Sequence, residues 1–207
     1  MKDGSSVGSI GSNGGDVYFR KDSGAGVYCS STAVLPFGAH SLGQSSDRWS
    51  DLYLSGGVYI GGTGSANKLD DYEEGTFTPT FVGTASDPTV TYIVQAGVYT
   101  KVGRFVHCTI HVYTSARSGG SGNLQISNLP FTCRSSAITW FSGSVSYTNN
   151  FTIAPTRCMI QQSTNKVNLY TCDSSSDPRA DHSSGFGVNT WPNSGDLYFS
   201  ISYETDA

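Results

Sequence analysis

Two kinds of hydrophobic pattern divide the chain. From Thr76 onward, apolar and polar positions alternate with period two over long runs, as half-buried β-strands require. Over residues 105–113 one face carries Val106, Cys108, Ile110 and Val112, and the other Phe105, His107, Thr109, His111 and Tyr113. In the last run Leu197, Phe199, Ile201 and Tyr203 alternate with Tyr198, Ser200, Ser202 and Glu204. Shorter runs at 90–92, 124–126, 137–142, 157–161 and 166–171, parted by polar turns, bring the total to about eight strands. Strands of this number and spacing predict a jelly-roll-like β-sandwich over residues 78–207.

Before Thr76 the runs are short and glycine-rich. A turn residue followed by Val or Leu and then Tyr recurs as Asp16-Val17-Tyr18, Gly26-Val27-Tyr28, Asp51-Leu52-Tyr53, Gly57-Val58-Tyr59, Gly97-Val98-Tyr99 and Asp196-Leu197-Tyr198. Each copy reads as a turn leading into a strand, so hairpins are the predicted unit. Hairpins this small are marginal in water. Residues 1–69 therefore read as a β-hairpin stalk that pairs with copies of itself or with a neighbour. The acidic stretch at 70–77, with adjacent Glu73 and Glu74, reads as a solvated linker.

Composition agrees with an all-β chain. Of 207 residues only 14% are charged, against about 25% in an average domain. Glycine (25) and tyrosine (12) fill the gap, which argues against a helical bundle, and 12% aromatic residues argue against disorder. The net charge of −4 comes without a Lys/Arg cluster, so no nucleic-acid partner is expected. No apolar run approaches the roughly 20 residues of a membrane span, and Met1-Lys2-Asp3-Gly4-Ser5-Ser6 does not open a signal peptide. Five widely spaced cysteines without a CxxC read as reduced thiols.

The stretch Leu42-Gly43-Gln44-Ser45-Ser46-Asp47-Arg48-Trp49-Ser50-Asp51-Leu52-Tyr53-Leu54-Ser55-Gly56-Gly57-Val58-Tyr59-Ile60-Gly61-Gly62-Thr63-Gly64, continuing through Ala66-Asn67-Lys68-Leu69-Asp70-Asp71-Tyr72-Glu73-Glu74-Gly75-Thr76-Phe77-Thr78-Pro79, resembles the distal part of tail fibre and tailspike proteins of tailed bacteriophages. Gly97-Val98-Tyr99-Thr100-Lys101-Val102-Gly103-Arg104 and Ile126-Ser127-Asn128-Leu129-Pro130-Phe131 are similar to the β-sandwich tip that often follows. The resemblance implies a homotrimer of stalk and head on the virion, assembled in the bacterial host cytoplasm. It also implies contact with another virion protein and with the host surface. Such fibres usually carry a long N-terminal portion for docking, and this chain starts almost where their tip begins.

Enzyme chemistry is weakly signalled. The P-loop and the dinucleotide fingerprint are missing, so the glycines read as turns. His107 and His111 share a strand face about 13 Å apart, too far for one ion. The aspartates at 173, 177 and 181 offer calcium oxygens without EF-hand spacing. They are also raw material for a depolymerase, which needs two carboxyls about 5–9.5 Å apart. No cofactor or metal is expected.

Aromatic and amide residues suggest recognition. Trp191 and Asn193, in a turn-rich stretch before the last strand, suit a sugar stacked on the ring and hydrogen-bonded by the amide. Tyr147 and Asn149 form a second exposed-looking loop, and Arg179, Asp181 and His182 a third. These seven residues are the candidate receptor-binding set. The expected function is a non-enzymatic fibre or spike tip that binds host polysaccharide or an outer-membrane protein. A structural trimerisation cap or virion decoration protein, and a polysaccharide depolymerase, are the alternatives.

Overall fold

The computed structural model describes residues 8–21, 24–136, 140–172 and 183–206. Strands are the main element of the described residues, with two single-turn 3-10 segments and no α-helix among them. The chain falls into two units that meet at Leu54 and Ser55.

The first unit is a four-stranded antiparallel meander of β1 (Ser9–Asn13), β2 (Asp16–Arg20), β3 (Gly26–Cys29) and β4 (Val34–Pro36). Gly14 and Gly15, at φ +59° and +96°, make the two-residue turn between β1 and β2. A type I′ hairpin turn needs positive φ at both central residues, which glycine adopts without strain. Phe37 gathers Tyr18, Tyr28 and the Arg20 guanidinium around it, with ring centroids 6.1 and 5.1 Å away and the cation at 5.0 Å. None of the unit's described residues is buried. Ile10, Phe19, Val34, Leu42, Trp49 and Leu52 are all more than half exposed. The Asp51-Leu52-Tyr53 copy of the recurrent pattern forms no strand.

The second unit opens with a minimal pair, β5 (Val58–Tyr59) and β6 (Lys68–Leu69). There follow β7 (Tyr72–Phe77), β8 (Thr80–Gly83), β9 (Ser86–Val102), β10 (Phe105–Ser121) and β11 (Leu124–Ser127). The remainder are β12 (Trp140–Asn149), β13 (Arg157–Gln161), β14 (Val167–Cys172), β15 (Ser183–Gly185) and β16 (Asp196–Glu204). The acidic stretch at 70–77, read as a solvated linker, is thus mostly strand. Tyr72–Phe77 is an edge strand on β9, with Glu73 opposite Lys101. Gly97-Val98-Tyr99 lies inside the 17-residue β9 rather than at a strand start.

Strand spacing suggested two sheets face to face. The ladder instead runs unbroken as one ten-stranded antiparallel sheet, β7-β9-β10-β16-β12-β13-β14-β11-β8, with β15 on β14. A creased hairpin curls it. Ser121 faces Ser86 in one ladder and Leu124 faces Gly83 in the next, so β8–β9 and β10–β11 are one hairpin in constant register. At the crease Gly119, Gly120 and Gly122 take φ of +64°, +79° and +84°. The hairpin therefore supplies strands near both ends of the sheet, and the Phe81 N–H donates across to Tyr92 Oη at 2.9 Å.

Inside the curl sits the core. Val106, Cys108, Ile110 and Val112 of β10 meet Tyr203, Ile201, Phe199 and Leu197 of β16 rung by rung, all at 1% exposure or less. Phe81, Leu124, Ile126, Cys158, Ile160, Val167 and Leu169 close it from the other strands. Burying such side chains stabilises by about 1.5–3 kcal/mol each, which offsets the entropy of ordering the long strands.

Candidate functional site

The outward face of β10, β16 and β12 is built by register. Along β10 the side chains opposite the core are His107, Thr109 and His111, which stand beside Ser202, Ser200 and Tyr198 of β16. β12 continues two of these rows, with Ser144 beside Ser200 and Tyr147 beside Tyr198. The last row depends on a bulge. Val145 pairs with Phe199 and Tyr147 with Tyr198, so Ser146 is an extra residue, its hydroxyl donating to Tyr198 O at 3.2 Å. Strict alternation from Val145 would turn Tyr147 inward. The bulge turns it out, a common means of aiming a side chain.

The result is an aromatic row with a polar border. The His111 ring stacks on Tyr198 at 3.7 Å and 17°, and Tyr147 meets Tyr198 edge-on at 5.6 Å and 78°. His111 Nε2 lies 2.9 Å from Asp196 Oδ1, which fixes the imidazole and gives the row a carboxylate. Asn149 stands opposite Asp196 and is exposed. Tyr147 and Tyr198 keep 47% and 38% of their surface open. Exposed phenol rings beside a carboxylate and an amide can hold a sugar: a ring covers its apolar face while the polar groups take its hydroxyls.

The 192–195 loop joins this end of the sheet. Asn150 Nδ2 donates to Ser194 O at 2.9 Å, and Thr114 Oγ1 donates to Asn193 O at 3.0 Å. Asn193 is exposed there. Trp191 is not, and its candidacy for stacking a ligand is corrected: the residue is 1% exposed. Phe81 and Phe151 pack edge-to-face against its ring at 4.5 and 4.8 Å, and its indole N–H donates to Thr114 Oγ1 at 2.9 Å. The ring is an apolar plug whose one polar atom is satisfied inside. Tyr147 and Asn149 lie on strand β12 rather than in a loop. Arg179, Asp181 and His182, with the aspartate-rich loop, lie outside the described residues.

Of the candidate set, then, the fold brings Tyr147, Asn149 and Asn193 to one end of the sheet and adds His111, Asp196 and Tyr198. Alternation had already turned His111 and Tyr198 away from the core; only the pairing of β10 with β16 made them partners. Farther along the same face, Tyr72 donates its hydroxyl to Glu74, and the carboxylate raises the phenol above its ordinary value. On the inner face, Tyr99 donates its hydroxyl to Glu73, and that carboxylate likewise raises the phenol.

No protein-family model matches the chain. No curated protein sequence matches it. Among solved structures, the crystal structure of the Dettilon tailspike protein is similar, with a TM-score of 0.50 at 17% identity. The likeness covers 64% of this chain and 23% of that one, so the chain spans less than a quarter of that tailspike's length. At that identity the likeness is one of fold.

Proposed function

We propose that the chain is a distal module of a phage tail fibre or spike, associated with the virion, which binds the host cell surface through the outer face of its second unit. The observation that carries this reading is the His111–Tyr198–Tyr147 row with Asp196 and Asn149, an open aromatic and polar cluster on a rigid sheet. The fold likeness to a tailspike supports it. Binding is reversible and breaks no bond in the ligand. The first unit, none of whose described residues is buried, associates with further copies to give a homotrimer. Three sites on one particle raise the effective concentration and turn weak single-site affinity into firm attachment.

The test is binding of the labelled full chain to bacterial cells, with light scattering of the same preparation. A mass of three chains and saturable binding are expected. Tyr147→Ala should lower binding about tenfold without moving the melting temperature. Periodate treatment of the cells abolishes binding to a glycan and protease treatment abolishes binding to an outer-membrane protein. Release of reducing ends from the bound surface would instead support the depolymerase. The exposed apolar residues of the first unit also suit a structural cap, for which a trimer that binds no cells is the expected result.

A further inference from the structure

The outer face continues past the aromatic row into a depression of about 490 Å³ between β7, β9 and β10. Of the eight residues that line it, six stand in two outward rungs: Glu74, Thr100 and His107 form one, Thr76, Val98 and Thr109 the other. The volume is within the range of about 300–1,000 Å³ in which small ligands are held. Ser202 fixes the His107 ring through Nδ1 at 2.9 Å, which leaves Nε2 on the opposite side of the ring for a ligand hydroxyl. Thr109 belongs to the depression and also to the Thr109–Ser200 rung that borders the aromatic row. Depression and aromatic row are thus two ends of one strip. Between His107 and His111 it runs about 13 Å along β10, longer than a single hexose ring.

The charge on this strip has one sign. Glu74 stands at one end and Asp196 at the other, and no outward-facing position of the strip's rungs from β7 to β12 is Lys or Arg, Lys101 standing opposite Glu73 on the inner face. Arg157 on β13, opposite Ser144, lies at the border. Between the carboxylates the side chains are hydroxyls, imidazoles and Val98. An acidic polymer laid along this face would meet two carboxylates and no compensating cation within the strip.

From this we infer that the strip binds an extended, uncharged glycan chain, with one sugar at Tyr147 and Tyr198 and another in the depression beside His107 and Glu74. This rests on the reading that the outer face binds host glycan, and it specifies length and charge. The experiment titrates the full chain with size-fractionated neutral oligosaccharides, from single hexoses to long oligomers, prepared from the surface polysaccharide of cells that bind it. Alginate oligomers of matched lengths serve as the anionic comparison.

Affinity should rise about five- to tenfold once the oligomer reaches both ends. His107→Ala and Glu74→Gln should remove that gain, whereas Tyr147→Ala should weaken every length. Affinity independent of length, a gain that survives both substitutions, or tighter binding of alginate overturns the extended-strip assignment alone. Failure to bind any cell or oligosaccharide overturns the parent reading and this one with it.

Discussion

Trp191 donates its indole N–H to Thr114 Oγ1 at 2.9 Å, across 77 residues of sequence. The same hydroxyl donates to Asn193 O and accepts from Gly195 N–H at 3.3 Å, so one threonine at a β10 irregularity ties down the whole approach to β16. Trp191→Ala is therefore expected to cost about 3–5 kcal/mol of stability through a large cavity. Thr114→Val should cost about 1–3 kcal/mol by leaving the indole N–H unpaired. Urea unfolding measures both, and a Trp191→Ala protein as stable as the parent would refute the plug.

At the crease, a Cβ on Gly122 would collide with Thr84 Oγ1 and lie 3.0 Å from Ala85 N, at φ +84°. Gly103, in the β9–β10 turn at φ +57°, has nothing within 4 Å of such a Cβ. Gly122→Ala combines backbone strain with a collision and should destabilise by roughly 2–4 kcal/mol, against about 1 kcal/mol for Gly103→Ala. Equal losses in paired denaturation curves would mean that the crease is not sterically required.

Lys101 is 5% exposed, with its ammonium on the Asp71 carboxylate and 5.4 Å from the Phe131 ring centroid. Asp71→Asn strands that cation on the inner side of β9. The expected loss is about 2 kcal/mol, at the low end for a buried pair because the Asp71 side chain is 36% exposed. Lys101→Met, which removes the charge and keeps the stem, should be close to neutral. The order of the two unfolding midpoints decides, and Lys101→Met as the more damaging change would contradict the account.

Burial pushes the Cys108 and Cys158 thiols up from 9.0 to about 12, and burial also raises the Tyr203 phenol. The folded state keeps protons that the unfolded chain releases, so stability is full below pH 9 and falls as pH rises toward 12. Each thiol contributes a slope of about 1.4 kcal/mol per pH unit in that window. Urea midpoints should agree at pH 7 and 8 and drop clearly by pH 10. An unchanged midpoint at pH 10 would show that these groups ionise as freely in the fold as out of it.

Much of this was legible along the chain. Val106, Cys108, Ile110 and Val112 could be assigned to one face, and Leu197 to Tyr203 to another, because the two-residue period of a strand is a local property of the backbone. Asp70 to Phe77 misled in conformation alone: Glu73 and Glu74 are exposed, as adjacent acids suggest, yet they stand in an edge strand, where Tyr99 of β9 donates to Glu73 and Tyr72 to Glu74. Trp191 misled for the opposite reason, since turn residues on both sides of it say nothing about which rings lie above it.

The chain by itself determined that it is all-β, which residues share a strand face, and where glycine permits tight turns. Local sterics and hydrophobic periodicity suffice for those. Only the tertiary structure decided that β16 lies between β10 and β12, that Ser146 is bulged, and that His111, Tyr198 and Tyr147 therefore stand in one row. Those pairings join residues 87 and 51 positions apart (198 less 111, and 198 less 147). Their register is selected by burial of the opposite face and not by any local preference of the residues on show.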